Sequence, residues 1–405
     1  MSHEFKIDFP AETVTESKAR IVVPKLAAYG VTPSDYAPSR APVFYNPIME
    51  LNRDLTILTF QVYQHKIGRD VSICEPFTGT GIRGIRFAAE LDGVKSVISA
   101  DINQRSVMLA EYNVRLNGVQ KVVSVIQGDA NRVLSDHSAP YKRFDIVDID
   151  PFGSPVQYLD TAIRALRNKG LLAVTATDMA PLCGVHPKAC IRKYGGKPMR
   201  AEYCQELAIR LVVACIASVA AKHEIGIQPI FSHCSDHYIR VYVEIYYGAQ
   251  KADESLRNVG YLLHCFRCLH RETAQKPFGK TIECPHCGGK MEFAGPLWLG
   301  KIFDVKTCED LQKENTRRPF KNHTKITKLL SLIREEAEAP ITYYVLDRVS
   351  QSLGLPVPSI VAFLQALHHR CYLATQTHFN PRGIRTNASV NDVQAVLRKL
   401  ALESR

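Results

Sequence analysis

Residues 71–84 constrain the fold more than any other stretch: a short apolar run, 71–74, breaks into Glu75-Pro-Phe-Thr-Gly79-Thr-Gly81-Ile-Arg-Gly84 and a helical pattern follows through residue 90. The GxGxxG spacing asks for a strand, a tight turn and a helix, with glycine wherever backbone must approach a ligand without a Cβ in the way. Further apolar runs end on or just before acids: 97–100 at Asp101, 122–127 at Gly128 and Asp129, 144–149 at Asp150, and 171–177 at Asp178. Helical stretches are predicted over 104–116 and 158–168. Strands alternating with helices imply an α/β fold with a parallel, doubly wound sheet, whose ligand chemistry lies at the carboxyl ends of the strands. A long helix over 201–223 then leads to two strand candidates, 227–232 and 238–247.

A glycine loop alone is a weak signal, because NAD, flavin and S-adenosylmethionine all need one. Asp101 strengthens it. It ends the next strand at the spacing where a carboxylate accepts hydrogen bonds from a ribose diol, and Asp129 ends the third strand within reach of an adenine amino group. Together they read as an adenosine site without separating the cofactors. The closing hairpin, with a final antiparallel strand inserted into the sheet, is the ending of a class I Rossmann-like methyltransferase domain rather than of a dehydrogenase. No Tyr-x-x-x-Lys or His/Asp hydride-site pairing accompanies the loop.

Asp150-Pro151-Phe152-Gly153 follows the fourth strand. An exocyclic amine on a purine is a poor nucleophile because its lone pair is delocalised into the ring. Hydrogen bonds to the Asp150 carboxylate and a neighbouring carbonyl would localise that pair toward a methyl sulfonium. Pro151 fixes the backbone, and Phe152 offers a face on which an extruded base can stack. This is catalysis by positioning and electrostatics.

With these segments in view the chain closely resembles the tRNA guanosine-26 N2-dimethyltransferase family over most of its length. The resemblance is carried by 15–24 (TESKARIVVP), 42–47 (PVFYNP), 51–54 (LNRD), 80–86 (TGIRGIR), 150–155 (DPFGSP) and 175–184 (TATDMAPLCG). It implies that Arg53, Arg83, Asp101, Asp129 and Ala130 contact S-adenosylmethionine, with both arginines near its carboxylate end. It also implies that Asp150 is the catalytic acceptor and that Phe44 and Phe152 line the base pocket. From residue chemistry alone Phe44 is a core aromatic, and Arg53 a surface cation or the partner of Asp54. Thr78-Gly79 stands where the family often has Ser-Ala, which lengthens the glycine loop.

Of twelve cysteines, only Cys265, Cys268, Cys284 and Cys287 show paired spacing, with 15 residues between the pairs. That is the spacing of a zinc ribbon closed by four thiolates, a structural Zn2+ site without an open position. Residues 324–400 have the cadence of a winged helix: helices over 326–337, 342–352 and 359–370, then 372–377 running into a loop of His378, Asn380, Arg382 and Arg385, with a basic flank at Arg317, Arg318, Lys321, Lys325 and Lys328. Such modules meet nucleic acid through the third helix and the wing. The net charge is +11, and residues 301–405 hold 16 Lys and Arg against 10 acids, which fits a polyanionic partner such as tRNA. A methyltransferase domain over 1–250 is therefore expected to precede a zinc-ribbon and winged-helix-like tRNA-binding domain over 251–405. The N-terminal residues lack a secretory pattern, and 211–221 is too short for a bilayer span, so a cytoplasmic or nuclear location without membrane is expected. Two alternatives stay open: an amino-methyltransferase acting on another RNA or DNA, and a non-enzymatic zinc-ribbon, winged-helix nucleic-acid-binding protein.

Overall fold

The computed structural model describes residues 7–403 apart from 33, 236 and 277–281. Seven strands form the large sheet: β1 Val71–Glu75, β2 Val94–Asp101, β3 Val123–Gln127, β4 Phe144–Ile149, β5 Leu166–Ala176, β6 Ile225–Ser235 and β7 Tyr238–Tyr247. Their order is β3-β2-β1-β4-β5-β7-β6, so the last strand is inserted between its two predecessors, as the class I reading requires. The strands from β1 to β5 pair in parallel. Every residue of β4 is buried, which explains its unbroken apolar character despite two internal acids.

The order reverses at β1, where its neighbours β2 and β4 lead to opposite sides. In doubly wound sheets ligands bind at such a switch point, at the carboxyl ends of the strands. Helices α1 Glu50–Ile67, α2 Ile82–Glu90, α3 Gln104–Leu116 and α4 Ala130–Asp136 flank these strands. The helix expected over 158–168 ends earlier, at Arg164, because Leu166 already pairs with Phe144. Between that pair and Ile146↔Leu171 the register shifts, at a bulge holding Lys169 with φ +66° and Gly170.

The chain gathers into two compact units that do not follow the linear 1–250 and 251–405 division. The first comprises Met1–Thr175, Tyr242–Tyr246 and Asp310–Thr327. Its hairpin Ala11–Glu16 and Ala19–Pro24 was not foreseen. Neither was the inward role of residues 310–327. There Arg318 is paired with Glu314 and also donates to Gln61 Oε1 (3.0 Å) and to the Glu90 carbonyl, while Phe320 is buried beneath the Arg86 guanidinium. One cation of the basic C-terminal quarter is thus consumed inside the fold.

The second unit comprises Ala176–Val241, Tyr247–Glu309 and Lys328–Arg405. The strands Val259–His264, Arg271–Ala274 and Glu292–Trp298 form an antiparallel sheet with Val259–His264 in the middle. A second small sheet pairs Asn380–Thr386 with Tyr344–Val345 and with Ala374–Thr377, and carries the helices Leu346–Leu353, Ile360–His368 and Val390–Glu403. The helix expected over 342–352 begins only at Leu346, since the aromatic and β-branched pair Tyr344–Val345 is taken into that sheet. The wing arginines also have internal duties: Arg385 is buried with Glu206 and Glu336, and Arg382 pairs with Asp347. Among the described residues one helix, Cys204–Ala221, is long and apolar enough to cross a membrane, and most of it is buried in the protein.

Candidate active site

The glycine loop is built as the spacing demands. Gly79 and Gly81 hold φ of +53° and +85°, and a Cβ on Gly79 would meet the Phe44 carbonyl oxygen at 2.9 Å. Gly84 lies inside α2, where a Cβ would collide with Ser99 Oγ and Glu75 Oε1. The loop is closed by backbone bonds from Thr78 to Ala100 and from Gly81 to Thr78, each 2.8 Å.

Asp101 ends β2 beside this loop. Its Oδ2 accepts from Gly79 N and its Oδ1 from Asn103 N, both at 2.9 Å, so the carboxylate is fixed against the loop. Asp129 caps α4 by accepting from Arg132 N, and Ala130 begins that helix. Both stand at the carboxyl edge of β3. Of the residues expected to meet the donor, Gly79, Gly81, Asp101 and Asp129 lie on strand ends and loops beside the switch point, and Arg83 and Ala130 in the first turns of α2 and α4.

The two arginines are held in different ways. Arg53 is neither a surface cation nor the partner of Asp54: its Nε and one terminal nitrogen grip Glu16 at 2.6 and 2.7 Å. Burial would raise the Glu16 carboxyl, yet Arg53 and Arg86 hold it down at about 2. Asp54 instead pairs with Arg86, which also binds Glu16 and Glu90. Arg83 is turned toward the acids of β4. It donates to Asn52 Oδ1 at 2.6 Å, lies 3.4 Å from Asp148 Oδ2, and makes an ion pair with Asp150.

Asp150 follows β4 directly, and its side chain is 20% exposed, reachable yet partly shielded from water. Phe152, two residues on, is 66% exposed, and its ring meets that of Phe44 edge to face at 4.6 Å. Phe44 is thus brought from a distant segment against the turn that carries Asp150. Glu16, Asn52 and Asp148 escaped notice. The signal for Asp148 was there, a second acid inside an otherwise apolar strand.

Glu75 ends β1 beneath the loop. Its Oε1 accepts from Ser99 Oγ at 2.6 Å, Thr78 Oγ1 at 2.8 Å and Gly84 N at 3.2 Å, whereas its buried Oε2 has no hydrogen-bond partner among the described residues. Burial pushes this carboxyl up to about 7, against the lowering pull of the Ser99 and Thr78 hydroxyls. Its folded value lies above the ordinary 4.5, so its contribution to stability is full below that value and is lost as pH rises through about 7. The loss amounts to about 3 kcal/mol over that interval. Glu75→Gln, which mimics the protonated form, is expected to lose this component and to gain on the wild type as pH rises from 5 to 8. Urea unfolding across that range checks it, and parallel pH profiles for the two proteins would refute it.

In the second unit, Cys265, Cys268, Cys284 and Cys287 bring four sulfurs within 4.8 Å of one another, with Cys265–Cys287 and Cys268–Cys284 each at 3.5 Å. Tetrahedral zinc with 2.3 Å bonds needs sulfurs about 3.8 Å apart, so the set fits. The two knuckles repeat one geometry: Leu269 and Gly288, each four residues after the first cysteine of its pair, have φ of +66° and +65° and donate back to that cysteine's carbonyl.

Residues 17–398 match the family model described as N2,N2-dimethylguanosine tRNA methyltransferase. The tRNA (guanine(26)-N(2))-dimethyltransferase of Methanothermobacter thermautotrophicus is 39% identical over 96% of this chain and all of its own length. The tRNA (guanine(26)-N(2)/guanine(27)-N(2))-dimethyltransferase of Aquifex aeolicus is 33% identical over 96% of each. Among solved structures, that of Trm1 from Pyrococcus horikoshii in complex with S-adenosyl-L-methionine superposes with a TM-score of 0.83 at 33% identity, covering 95% of this chain and 99% of that one. The chain is thus a member of the N2,N2-dimethylguanosine tRNA methyltransferase family.

Proposed function

We propose that this protein transfers methyl groups from S-adenosyl-L-methionine to the exocyclic N2 of guanosine 26 in tRNA, giving dimethylguanosine. The observation that carries the reading is the catalytic turn itself: a partly shielded carboxylate, Asp150, two residues before an exposed ring, Phe152, that is met by Phe44. When bound, the donor supplies an electrophilic sulfonium methyl. Gly79 and Gly81 give its backbone cradle, Asp101 takes the ribose hydroxyls, and Asp129 with Ala130 faces the adenine. Arg83 lies toward the carboxylate end, while Arg53, committed to Glu16, reaches it only through its remaining amino group. Asp150 accepts a hydrogen bond from N2 and takes up the proton released as the N–C bond forms and the donor's S–CH3 bond breaks, its electron pair staying on sulfur in the departing S-adenosylhomocysteine. Phe44 and Phe152 hold the extruded base against solvent.

Four thiolates of the cysteine cluster hold a structural zinc ion, and residues 251–405 with the exposed cations Arg317, Lys321, Lys325 and Lys328 contact tRNA phosphates. Arg318 and Arg385 take no part, Arg318 being held by Glu314 and Arg385 buried with Glu336 in ion pairs. Mass spectrometry of nucleosides from tRNA transcripts incubated with protein and donor tests the reading. Dimethylguanosine is expected from a transcript with guanosine at 26 and not from one in which 26 is replaced, with guanosine 27 varied separately because the Aquifex relative carries both positions in its name. Recovery of only unmodified guanosine would sink it.

A further inference from the structure

Asn52 shares with Asp150 a single nitrogen of Arg83. The NH2 group of that guanidinium lies 2.6 Å from Asn52 Oδ1 and is also the atom that pairs with Asp150 Oδ2, while NH1 faces Asp148 Oδ2 at 3.4 Å. A terminal guanidinium nitrogen carries two hydrogens in a fixed planar fork. With one directed at Asn52, the direction of the other is set. Asn52 and Asp148 are buried, so the guanidinium has rigid acceptors behind it, and Asp150 is the partly exposed partner in front.

The carboxamide is an expensive choice for support alone. Its Nδ2 is buried without a hydrogen-bond partner among the described residues, a state that an apolar side chain of similar volume would avoid. What asparagine provides there is the oxygen that takes the Arg83 hydrogen. Its neighbours on α1 serve elsewhere, Arg53 on Glu16 and Asp54 on Arg86, so within this run Asn52 alone faces the catalytic turn.

We propose that Asn52 is a positioning residue for methyl transfer: by accepting one hydrogen of the shared Arg83 nitrogen it aims the other at Asp150, and so fixes the carboxylate that receives the target amine. This rests on the catalytic reading of Asp150 given above. Displacing a catalytic group by a fraction of an ångström to one ångström costs up to about 10²-fold in rate without touching the substrate.

The test is single-turnover methylation of tRNA at saturating donor and tRNA, from pH 5.5 to 9, for wild type, Asn52→Ala, Arg83→Lys, the double variant and Asp150→Ala. Asn52→Ala is expected to slow the step by roughly 10- to 100-fold. Its acid limb should move to higher pH, because a loosened cation stabilises the ionised carboxylate less. In the Arg83→Lys background, which keeps the charge but loses the fork, removing Asn52 should cause no further loss. Additive losses, or an unmoved acid limb, would overturn the proposal, since a purely structural role lowers the active fraction without shifting the limb. Where Asn52→Ala does not fold, Asn52→Asp replaces it. That variant keeps the oxygen, but its charge draws Arg83 from Asp150, so the limb should again rise, and an unmoved limb again overturns the idea. Full activity of Asp150→Ala would refute the catalytic acceptor and this proposal together, whereas a dead Asp150→Ala beside an unaltered Asn52→Ala would refute this proposal alone.

Discussion

Replacing Asp150 by alanine is expected to slow methyl transfer by about 10³-fold, while the dissociation constant for S-adenosylmethionine stays within about tenfold. The carboxylate is both the acceptor that localises the amine lone pair and the destination of its proton, so no other group at the turn replaces it. Its loss does not strand a buried cation, because Arg83 keeps Asn52 and Asp148. The fold around the loop should therefore survive, and the rate loss should report chemistry. Asp150→Asn sharpens the point: it preserves shape and one acceptor oxygen but not the charge, and should fall between wild type and alanine. Single-turnover rates with calorimetric donor binding decide the matter. Turnover of Asp150→Ala within tenfold of wild type would remove the residue from the mechanism.

Changing Cys265 and Cys268 together to serine is expected to release the metal and melt more than its own knuckle. The residue after the first pair, Leu269, packs with Tyr344, Leu346, Phe363, Leu367 and Val393 in the apolar cluster of the C-terminal helices. Arg271 extends the tie, donating to the Tyr343 carbonyl at 2.6 Å with its guanidinium over the Tyr344 ring. Structural zinc contributes on the order of 10 kcal/mol to the folding of small domains, more than a 405-residue protein's second unit can lose without local unfolding. We expect about one zinc per chain by elemental analysis of the wild type, none in the variant, and protease cleavage in the variant within both the ribbon and residues 344–397. Wild-type protein purified without zinc, whose melting is indifferent to chelators, would count against the site.

The sequence made the sheet legible because short apolar runs alternate with helical stretches and several of them stop at an acid. Glu75, Asp101 and Asp150 mark three carboxyl edges, and Gly79 and Gly81 need the left-handed backbone that only glycine adopts freely. The cysteine pairs were equally readable, since metal geometry dictates their spacing. Side-chain direction was not readable. Residues 52, 53 and 54 are adjacent in the chain, yet helical rotation of about 100° per residue sends them to Arg83, Glu16 and Arg86 in turn. No local pattern distinguishes the one that faces the site. For the same reason the cations of residues 301–405 looked alike in sequence, although Arg318 is folded inward and Lys321 is 83% exposed. The hairpin Ala11–Glu16 and Ala19–Pro24 escaped because its stabilising partners lie far along the chain.

That last distance bears on how the protein is made. Glu16 emerges from a ribosome 37 residues before Arg53 and 70 before Arg86, the two cations that hold its buried carboxylate. A two-stranded ribbon is at best marginal alone in water. The earliest hairpin therefore waits for α2 to be synthesised before it seats, and a nascent chain halted before residue 86 should present its first 24 residues to chaperones and proteases as an open segment.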